Sequence, residues 1–483
     1  MRYYEIRIPE RRNVTALDAA VGLASRSPFS EFMLYEQDSS WIYAGGSVGR
    51  ITVSAREVRS EWPGSVRVKA WEGRPFSVLS DMLAAAPIEH WQAFGWTSFE
   101  LAHAMYPPAG RSGSEAADWP IMHLVIPHTQ VLISADLTVV RSVSRQGALD
   151  VLDLLDTTEP HHPAEPSPVA TDVGRDEYCA AVETAVGEIK QGLFEKVVLS
   201  RRVPIGHPVD LAQTYHLGRR TNTPARSFLL SLGGISATGF SPEIVVEVDS
   251  GGHVSTQPLA GTRARGDTPD EARRLEAELL TDPKEIYEHA ISMRSSWSEL
   301  NAVCVPGSVR VDEPMRIRHC GAVQHIGSVV SGQLAHGQTA LDALGTVFPA
   351  VTVSGLPRAE ACACIARLEP QPRGIYGGAV LRTDSAGRLD AALVLRSVFQ
   401  VDGQAWLQAG AGIVRDSRSE REFLETREKL GSIAPYIVAA GQAPRITAMT
   451  GRVPAHDPGT GTFTSGHPAP ALMESGGRGA ASE

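Results

Sequence analysis

The segment QAGAGIVRDSRSEREFLETREKL, residues 408–430, decides the fold of this chain. It begins as an apolar strand that runs into Gly410 and Gly412, and it continues as a helix that ends at a glycine C-cap. Glu422 and Glu425 lie three positions apart on this helix, so they share one face with Cβ atoms roughly 5–6 Å apart. The segment therefore predicts a strand followed closely by a helix that presents two carboxylates together.

A second glutamate pair, Glu285 and Glu288, lies in TDPKEIYEHAISM, residues 281–293, which also has helical periodicity. Four carboxylates on two facing helix ends form an all-oxygen site of the kind that a hard divalent cation such as Mg2+ prefers. Without a cation, so many buried like charges would be strongly unfavourable. The second pair, together with Glu422 and Glu425, therefore predicts a magnesium site.

Ordinary helix capping is the alternative interpretation of both pairs. Asp282-x-x-Glu285 and Ser419-x-x-Glu422 each match the capping-box pattern, in which the third helical residue bonds back to the cap. If Glu285 and Glu422 have this duty, the second glutamate of each pair, one turn further in, would bind the metal directly. The first glutamate would then act more through water.

The composition allows a large apolar core and excludes several classes of partner. Of 483 residues, 42% are hydrophobic and 21% are charged, and the net charge of −10 argues against a nucleic-acid surface or a polybasic membrane anchor. No run approaches the roughly 18 apolar residues of a membrane span, and the N-terminus lacks the apolar region of a signal peptide, so we expect a cytoplasmic protein. The cysteines form neither a CxxC pair nor a disulfide framework: Cys179, Cys304, Cys320, Cys362 and Cys364.

Strand-like and helix-like segments alternate irregularly along the chain. The predicted strands are VVLSRRVPI (197–205), SFLLSL (227–232), EIVVEV (243–248), GAVLRT (378–383), AALVLRSVFQV (391–401) and AWLQAGAGIV (405–414). The predicted helices are DEYCAAVETAVGEIKQGL (176–193), PDEARRLEAELL (269–280), PKEIYEHAISMRSSWSELNAV (283–303) and EREFLETREKLG (420–431).

Composition divides the chain into four regions. Residues 156–173 form a Pro- and acid-rich loop that joins an N-terminal part, residues 1–155, to the motif-bearing part, residues 174–440. Residues 441–483 are rich in Gly, Pro, Ser and Thr without periodicity, which predicts a disordered tail. We expect the loop and the two parts that it joins to belong to one catalytic unit.

Nine segments, in this order, carry a resemblance to a known family. They are EKVVLSRR (195–202), GFSPEIVVEV (239–248), PLAGTRARG (258–266), DPKEIYEHAISM (282–293), VQHIGSVVSGQL (323–334), FPAVTVSGLPRAEA (348–361), RGIYGGAVL (373–381), DAALVLRSV (390–398) and QAGAGIVRDSRSEREFLETREKL (408–430). The series closely resembles the chorismate-utilising enzymes: anthranilate, aminodeoxychorismate, isochorismate and salicylate synthases.

The resemblance implies an α+β fold of two large packed antiparallel β-sheets flanked by helices, in a single large catalytic unit. It implies chorismate as the small-molecule substrate and Mg2+ as the cofactor, held by the four glutamates. No glutaminase subunit is expected, and we therefore expect a monomer with no nucleic-acid or membrane partner.

Lys196 and Glu243 form the candidate catalytic pair. Strand alternation places Lys196 on one face with Val198 and Ser200, a pattern that also fits an edge-strand lysine. The resemblance implies that a lysine here activates water, whereas anthranilate synthases typically carry glutamine. Glu243 in GFSPE matches the family's general acid, which must lie in a poorly solvated place to stay protonated.

Further residues match positions around the family's substrate. Tyr376 and Arg396 match the residues that hold the enolpyruvyl carboxylate, for which a bidentate arginine is well suited. Gly410 and Gly412 let backbone N–H groups approach the same carboxylate. His325 is implied to be a third catalytic residue beside the ring, although a lone histidine between strands is more often a satisfied core residue. The other implied substrate-binding residues are Gly261, Thr262, Thr352, Leu395 and Lys429.

The implied mechanism has two stages. With Mg2+ neutralising the ring carboxylate of chorismate, Lys196 takes a proton from a water that adds at C2, and Glu243 protonates the hydroxyl that leaves from C4. The product is isochorismate, from which a salicylate synthase then expels pyruvate.

Three sequence differences favour one subgroup. Ala260 stands where covalent aminodeoxychorismate synthases carry a lysine nucleophile, and Lys196 disfavours anthranilate synthase component I. The run FPAVT, residues 348–352, resembles salicylate synthases, whose usual role is siderophore biosynthesis. We therefore expect an isochorismate synthase and isochorismate pyruvate-lyase, that is, a salicylate synthase. An isochorismate synthase that stops before pyruvate loss is the alternative, with anthranilate synthase component I behind it.

Overall fold

The computed structural model describes residues 1–9, 14–107, 120–160, 164–266, 268–320 and 323–441. The predicted tail begins at residue 441, and residues 442–483 lie outside the described ranges. All described residues belong to one compact unit.

The described residues contain 23 strands. In the first half of the chain these are β1 (Tyr4–Pro9), β2 (Phe32–Gln37), β3 (Ser40–Gly45), β4 (Gly49–Val53), β5 (Glu57–Trp62), β6 (Ser65–Ala70), β7 (Gln92–Thr97), β8 (Met122–Ile126), β9 (Thr129–Ile133) and β10 (Leu137–Ser142). In the second half they are β11 (Lys196–Ile205), β12 (Arg226–Leu232), β13 (Ile235–Ser241), β14 (Ile244–Val248), β15 (His253–Thr256), β16 (Leu259–Ala264), β17 (Arg310–Cys320), β18 (Val323–Gln333), β19 (Gly355–Leu356), β20 (Ala379–Asp384), β21 (Leu389–Leu393), β22 (Ser397–Val401) and β23 (Gln404–Ile413).

Eleven α-helices occur within the same ranges. They are α1 (Ala16–Ser25), α2 (Phe76–Ala84), α3 (Glu100–Met105), α4 (Arg145–Asp156), α5 (Arg175–Lys190), α6 (Leu211–Arg219), α7 (Pro269–Thr281), α8 (Pro283–Asn301), α9 (Ala340–Val347), α10 (Arg358–Leu368) and α11 (Ser419–Leu430). None of these helices combines the length and the apolar character that a bilayer crossing requires.

The strands form two antiparallel sheets, and each sheet takes strands from both halves of the chain. The first has 11 strands in the order β1-β10-β9-β3-β2-β12-β13-β22-β23-β11-β19. The second has 12 strands in the order β16-β18-β15-β14-β21-β20-β7-β8-β4-β5-β6, and β17 also pairs with β18. The halves join where β2 pairs with β12 and where β7 pairs with β20. Residues 1–155 therefore share their sheets with the rest of the chain.

Apolar clusters hold the layers together. Tyr35, Phe94, Phe228 and Phe399 belong to a buried cluster between the two sheets. Residues of α1, α4 and α6 pack on the outer face of the first sheet, and residues of α2, α5, α9 and α10 join the largest cluster, on the other side. The predicted α+β fold of two packed antiparallel sheets flanked by helices is confirmed.

The prediction of a single strand over residues 391–401 is wrong. The segment forms two strands in different sheets, β21 in the second and β22 in the first. Arg396 has a φ of 50° in the short link between them, which is a left-handed conformation that breaks strand geometry. The break brings Leu395 and Arg396 to the wall of the cavity described below.

Candidate active site

A cavity of about 730 Å3 lies between the second-half strands and helices α8 and α11. Its lining contains every predicted site residue except Lys196, Glu285 and Glu422. Those three are also buried and contact the residues behind the wall.

Glu243 lies just before β14 and is 3% exposed. The hydroxyl of Thr352 donates to its Oε1 at 2.6 Å. Burial raises the pKa of Glu243 to about 8, although the Thr352 hydrogen bond and the charge of Lys196 oppose that rise. The carboxyl is therefore mostly protonated at neutral pH, as a general acid has to be.

Lys196 opens β11 and is completely buried. Its Nζ lies 3.0 Å from Glu288 Oε1 and donates to Ser292 Oγ at 3.2 Å. Both partners are on α8, one helical turn apart. The candidate base is therefore bonded directly to one of the candidate metal ligands.

His325 on β18 faces Thr262 on β16 across the strand pair. Its Nδ1 lies 3.0 Å from Gly261 O, an oxygen that can only accept, so Nδ1 carries the proton. Nε2 is then the acceptor for the guanidinium of Arg396, with which it makes a short contact. Burial and the charge of Arg396 hold the pKa of His325 well below its usual range, so the ring is neutral.

Each of the four glutamates is paired with a cation of the chain. Glu285 accepts from Arg263 at 3.0 Å, and Glu288 pairs with Lys196 as described. The other two pairs are Lys284–Glu422 at 2.9 Å and Lys429–Glu425 at 2.8 Å. Burial lowers the pKa of Lys284, but the charges of all four glutamates outweigh burial and raise it, so this ammonium lies within the field of the whole cluster.

The capping-box interpretation of the glutamates is wrong. The N-cap of α11 is Arg418, and Ser419 is already helical, with its hydroxyl bonded to Glu183. Asp282 does cap α8 and accepts from the backbone N of Glu285 at 3.4 Å, but among the described contacts the side chain of Glu285 does not bond back to the backbone N of Asp282. Helix capping therefore does not occupy the first glutamate of either pair.

The titration of the cluster follows from its burial. Burial and the charge of Glu425 raise the pKa of Glu285 and raise that of Glu422 to about 7. Burial also acts to raise the pKa of Glu425, but Lys429 and Lys284 outweigh it and lower the value to about 2. The four carboxylates, each paired with one cation, therefore differ widely in their pKa values.

The carboxylate oxygens of the four glutamates are the type of ligand that a hard divalent cation prefers. Glu285 Oε2 and Glu422 Oε2 are buried and have no hydrogen-bond partner among the described residues. Such orphaned carboxylate oxygens suit a metal or its bound water. Within the described ranges, no three His, Cys, Asp or Glu side chains lie close enough together to form a metal site, and each of the four carboxylates is paired with a cation.

Two glycines make room for the carboxylates. A Cβ on Gly412 would lie 2.1 Å from Glu288 Oε1, and one on Gly261 would lie 3.0 Å from Glu285 Oε2. Gly261 also has a φ of 76° at a bulge in β16, a conformation that glycine adopts without strain. Packing against the glutamates therefore requires glycine here, in addition to the substrate contact expected for Gly412.

Sequence reasoning missed several residues of this site. Lys284, Arg263 and Ser292 lie inside the segments that were singled out, but they received no role. A basic residue beside each glutamate pair was a usable signal, since buried carboxylates require counter-charges. Gln408 was also missed: it lines the cavity and donates to Ser200 Oγ at 2.9 Å.

Comparisons with known proteins agree with this geometry. The model of the chorismate binding enzyme family matches residues 31–435. The salicylate synthase of Mycolicibacterium paratuberculosis (strain ATCC BAA-968 / K-10) is 41% identical over 425 residues, covering 88% of this chain and 93% of that protein.

Solved structures show the same fold. Anthranilate synthase component I from Streptococcus pneumoniae TIGR4 matches with a TM-score of 0.68 and 26% identity, covering 82% of this chain and 92% of that chain. The menaquinone-specific isochorismate synthase from Escherichia coli matches with a TM-score of 0.69 and 21% identity, covering 90% and 94%.

Glu243 lines the cavity with two of the four carboxylates, and Lys196 and the other two carboxylates lie buried behind its wall. The fold and this arrangement define an enzyme of the chorismate-utilising class. The chain belongs to the chorismate binding enzyme family. The resemblance that the nine motifs carried is confirmed.

Proposed function

We propose that this enzyme is a salicylate synthase, which converts chorismate through isochorismate to salicylate and pyruvate. The observation that supports the proposal is buried Glu243 on the cavity wall, whose pKa burial raises to about 8 although the charge of buried Lys196 acts on it. The similarity to a salicylate synthase along nearly its whole length supports the subgroup, as does the FPAVT run at residues 348–352.

Water addition requires an acid and a base in one pocket. Glu243 would give its proton to the hydroxyl leaving C4, a role for which burial and the raised pKa suit it. Lys196 would accept a proton from the water that adds at C2, for which the ammonium paired with Glu288 must first lose a proton and become the free amine. The Thr352 hydroxyl fixes the orientation of the Glu243 carboxyl, so the proton stays aimed at one position in the cavity.

Pyruvate loss requires orientation more than acid–base chemistry. The enolpyruvyl arm must fold over the ring, and its carboxylate needs a cationic partner. Arg396 on the cavity wall would supply this charge, with Tyr376 beside it. Neutral His325 donates to Gly261 O and accepts from Arg396, so it would hold the guanidinium in place and limit the freedom of the ring.

Magnesium is proposed as the cofactor. The four glutamates Glu285, Glu288, Glu422 and Glu425 would hold it, and its charge would neutralise the ring carboxylate of chorismate. We propose also that the chain works as a monomer without a glutaminase subunit, and that its salicylate supplies siderophore biosynthesis, the usual role of the subgroup that it resembles.

The direct test is to incubate the purified enzyme with chorismate and Mg2+ and to identify the products over time. Salicylate and pyruvate in equal amounts, with isochorismate only as a transient, are the expected result. A parallel reaction with ammonium should give no anthranilate. A stable pool of isochorismate without pyruvate would instead identify an isochorismate synthase, the second candidate.

A further inference from the structure

Arg373 is a buried arginine outside the proposed chemistry that binds several segments of the site together. Only 2% of it is exposed. Its guanidinium donates to Val198 O and to Val353 O, each at 2.7 Å. It also donates to both oxygens of Glu369, at 2.9 and 2.5 Å. One side chain therefore satisfies four acceptors on three segments.

The first segment is the strand of the candidate base. Val198 lines the cavity two residues after Lys196 on β11. Glu369 adds a second attachment to this strand, because it accepts from the backbone N of Ser200 at 2.7 Å and from its hydroxyl at 3.0 Å. Arg373 and Glu369 thus hold β11 at Val198 and at Ser200, two residues apart on the same side of the strand.

The second segment is the loop that orients the candidate acid. Val353 directly follows Thr352, whose hydroxyl donates to Glu243. A bond from Arg373 to the carbonyl of Val353 fixes the backbone one residue from that hydroxyl. Movement of this loop would therefore change the orientation of the Glu243 carboxyl.

Arg373 itself belongs to the turn that carries Tyr376. The guanidinium carbon of Arg373 lies 4.3 Å from the centroid of the Phe99 ring and 5.8 Å from that of Tyr376. The same turn is held from the other side, since the backbone N of Phe99 donates to Gly374 O at 2.8 Å. Cation–π contacts of this kind are strongest where water is excluded.

We propose that Arg373, held by Glu369, is a positioning residue that sets the relative positions of Lys196, Thr352 and Tyr376. This inference rests on the proposed function, because those three residues take their roles from it. Lysine cannot replace Arg373 in this role. An ammonium has only three donors and lacks the planar geometry of a guanidinium, so it cannot bond all four acceptors at once.

The test compares Arg373→Lys with Arg226→Lys. Arg226 makes an equally buried pair with Asp390, at 2.6 Å, and lies outside the cavity wall. For Arg373→Lys we expect kcat on chorismate to fall about tenfold or more with a much smaller change in KM, since misplaced groups lose rate rather than affinity. We also expect a larger fraction of product to leave as isochorismate, because Tyr376 no longer holds the arm. Arg226→Lys should lower the melting temperature but keep the wild-type product ratio.

Equal loss of kcat in both variants, measured on folded protein, would show that Arg373 is only structural. So would an Arg373→Lys enzyme with wild-type kcat and product ratio. If Arg373→Lys does not fold, Glu369→Gln is the second variant; it keeps the side-chain shape and should shift kcat and product ratio in the same direction, and an unchanged ratio would overturn the proposal. A wild-type enzyme that makes only isochorismate would refute the proposed function. The comparison of kcat between the two variants would still test whether Arg373 is a positioning residue.

Discussion

Replacing Thr352 with valine should move the alkaline limb of the pH profile upward. The acid must be protonated to act, so activity falls as pH rises through the pKa of Glu243, which is about 8. At pH 7 a group with this pKa is about 90% protonated, whereas an ordinary glutamate with a pKa near 4.3 would be about 0.2% protonated. Burial of Glu243 therefore accounts for nearly all of the acid form that the proposed mechanism requires.

The size of the shift follows from one hydrogen bond. The Thr352 hydroxyl lies 2.6 Å from Glu243 Oε1 and favours the carboxylate form. A hydrogen bond to a charged group contributes about 1.5 kcal/mol, and about 1.4 kcal/mol corresponds to a tenfold change in an acid dissociation constant. Valine keeps the branched shape without the hydroxyl, so the limb should move from about pH 8 to about pH 9.

The assay is kcat/KM for chorismate consumption between roughly pH 6 and pH 10, because this parameter reports the groups of the free enzyme. Thr262→Val is the matched control: among the described contacts, the Thr262 hydroxyl lies 3.2 Å from His325 Nδ1 and does not bond to Glu243. A limb that stays at the wild-type position in Thr352→Val, or that moves equally in both variants, would refute the assignment of this limb to Glu243.

Lys196→Gln should stop chorismate consumption but leave pyruvate loss from supplied isochorismate largely intact, because that elimination is an intramolecular hydrogen transfer that needs orientation rather than a base. Product analysis with each substrate checks this, and equal loss of both activities would contradict it. Glu243→Gln should lower turnover by about 100-fold or more, yet its melting temperature relative to that of the wild type should rise from about pH 5 to about pH 8, the pKa of the folded carboxyl. The reason is that the buried wild-type carboxyl, with its raised pKa, loses stability as the unfolded chain ionises; a constant difference would argue against a raised pKa. Removing metal with EDTA should abolish turnover while circular dichroism shows a folded protein, because Arg263, Lys196, Lys284 and Lys429 already neutralise much of the cluster.

The sequence was a good guide to helices and a weaker guide to strand breaks. Helices α8 and α11 begin at Pro283 and Ser419, within one residue of their predicted starts. The strand predicted over 391–401 failed because apolar and β-branched residues continue through the break. A glycine at position 396 would have signalled a left-handed residue, whereas Arg396 gives no such warning. Tertiary contacts hold Arg396 in that conformation, with its guanidinium against His325.

The sequence indicated that counter-charges are needed at the site, but it could not show which cation pairs with which carboxylate. A lysine at the start of a helix, next to Glu285, has the pattern of an ordinary exposed residue. Only the fold brings Lys284 to Glu422, 138 positions later in the chain. The same is true of Arg373, which bonds to Val198, 175 positions earlier. Spacing rules apply within one helix or strand, so they give no information about partners of this kind.

The two glutamates of each pair differ for a physical reason other than capping. Glu285 and Glu422 do not cap their helices, and each keeps a buried oxygen without a hydrogen-bond partner in the described part of the chain. What distinguishes them is position, because Glu288 and Glu425 line the cavity and the other two lie behind its wall. A cation that must neutralise a carboxylate inside the cavity is best reached from Glu288 and Glu425. Glu288 also bonds to Lys196 at 3.0 Å, so the proposed metal site and the proposed base share a carboxylate and neither can be changed without affecting the other.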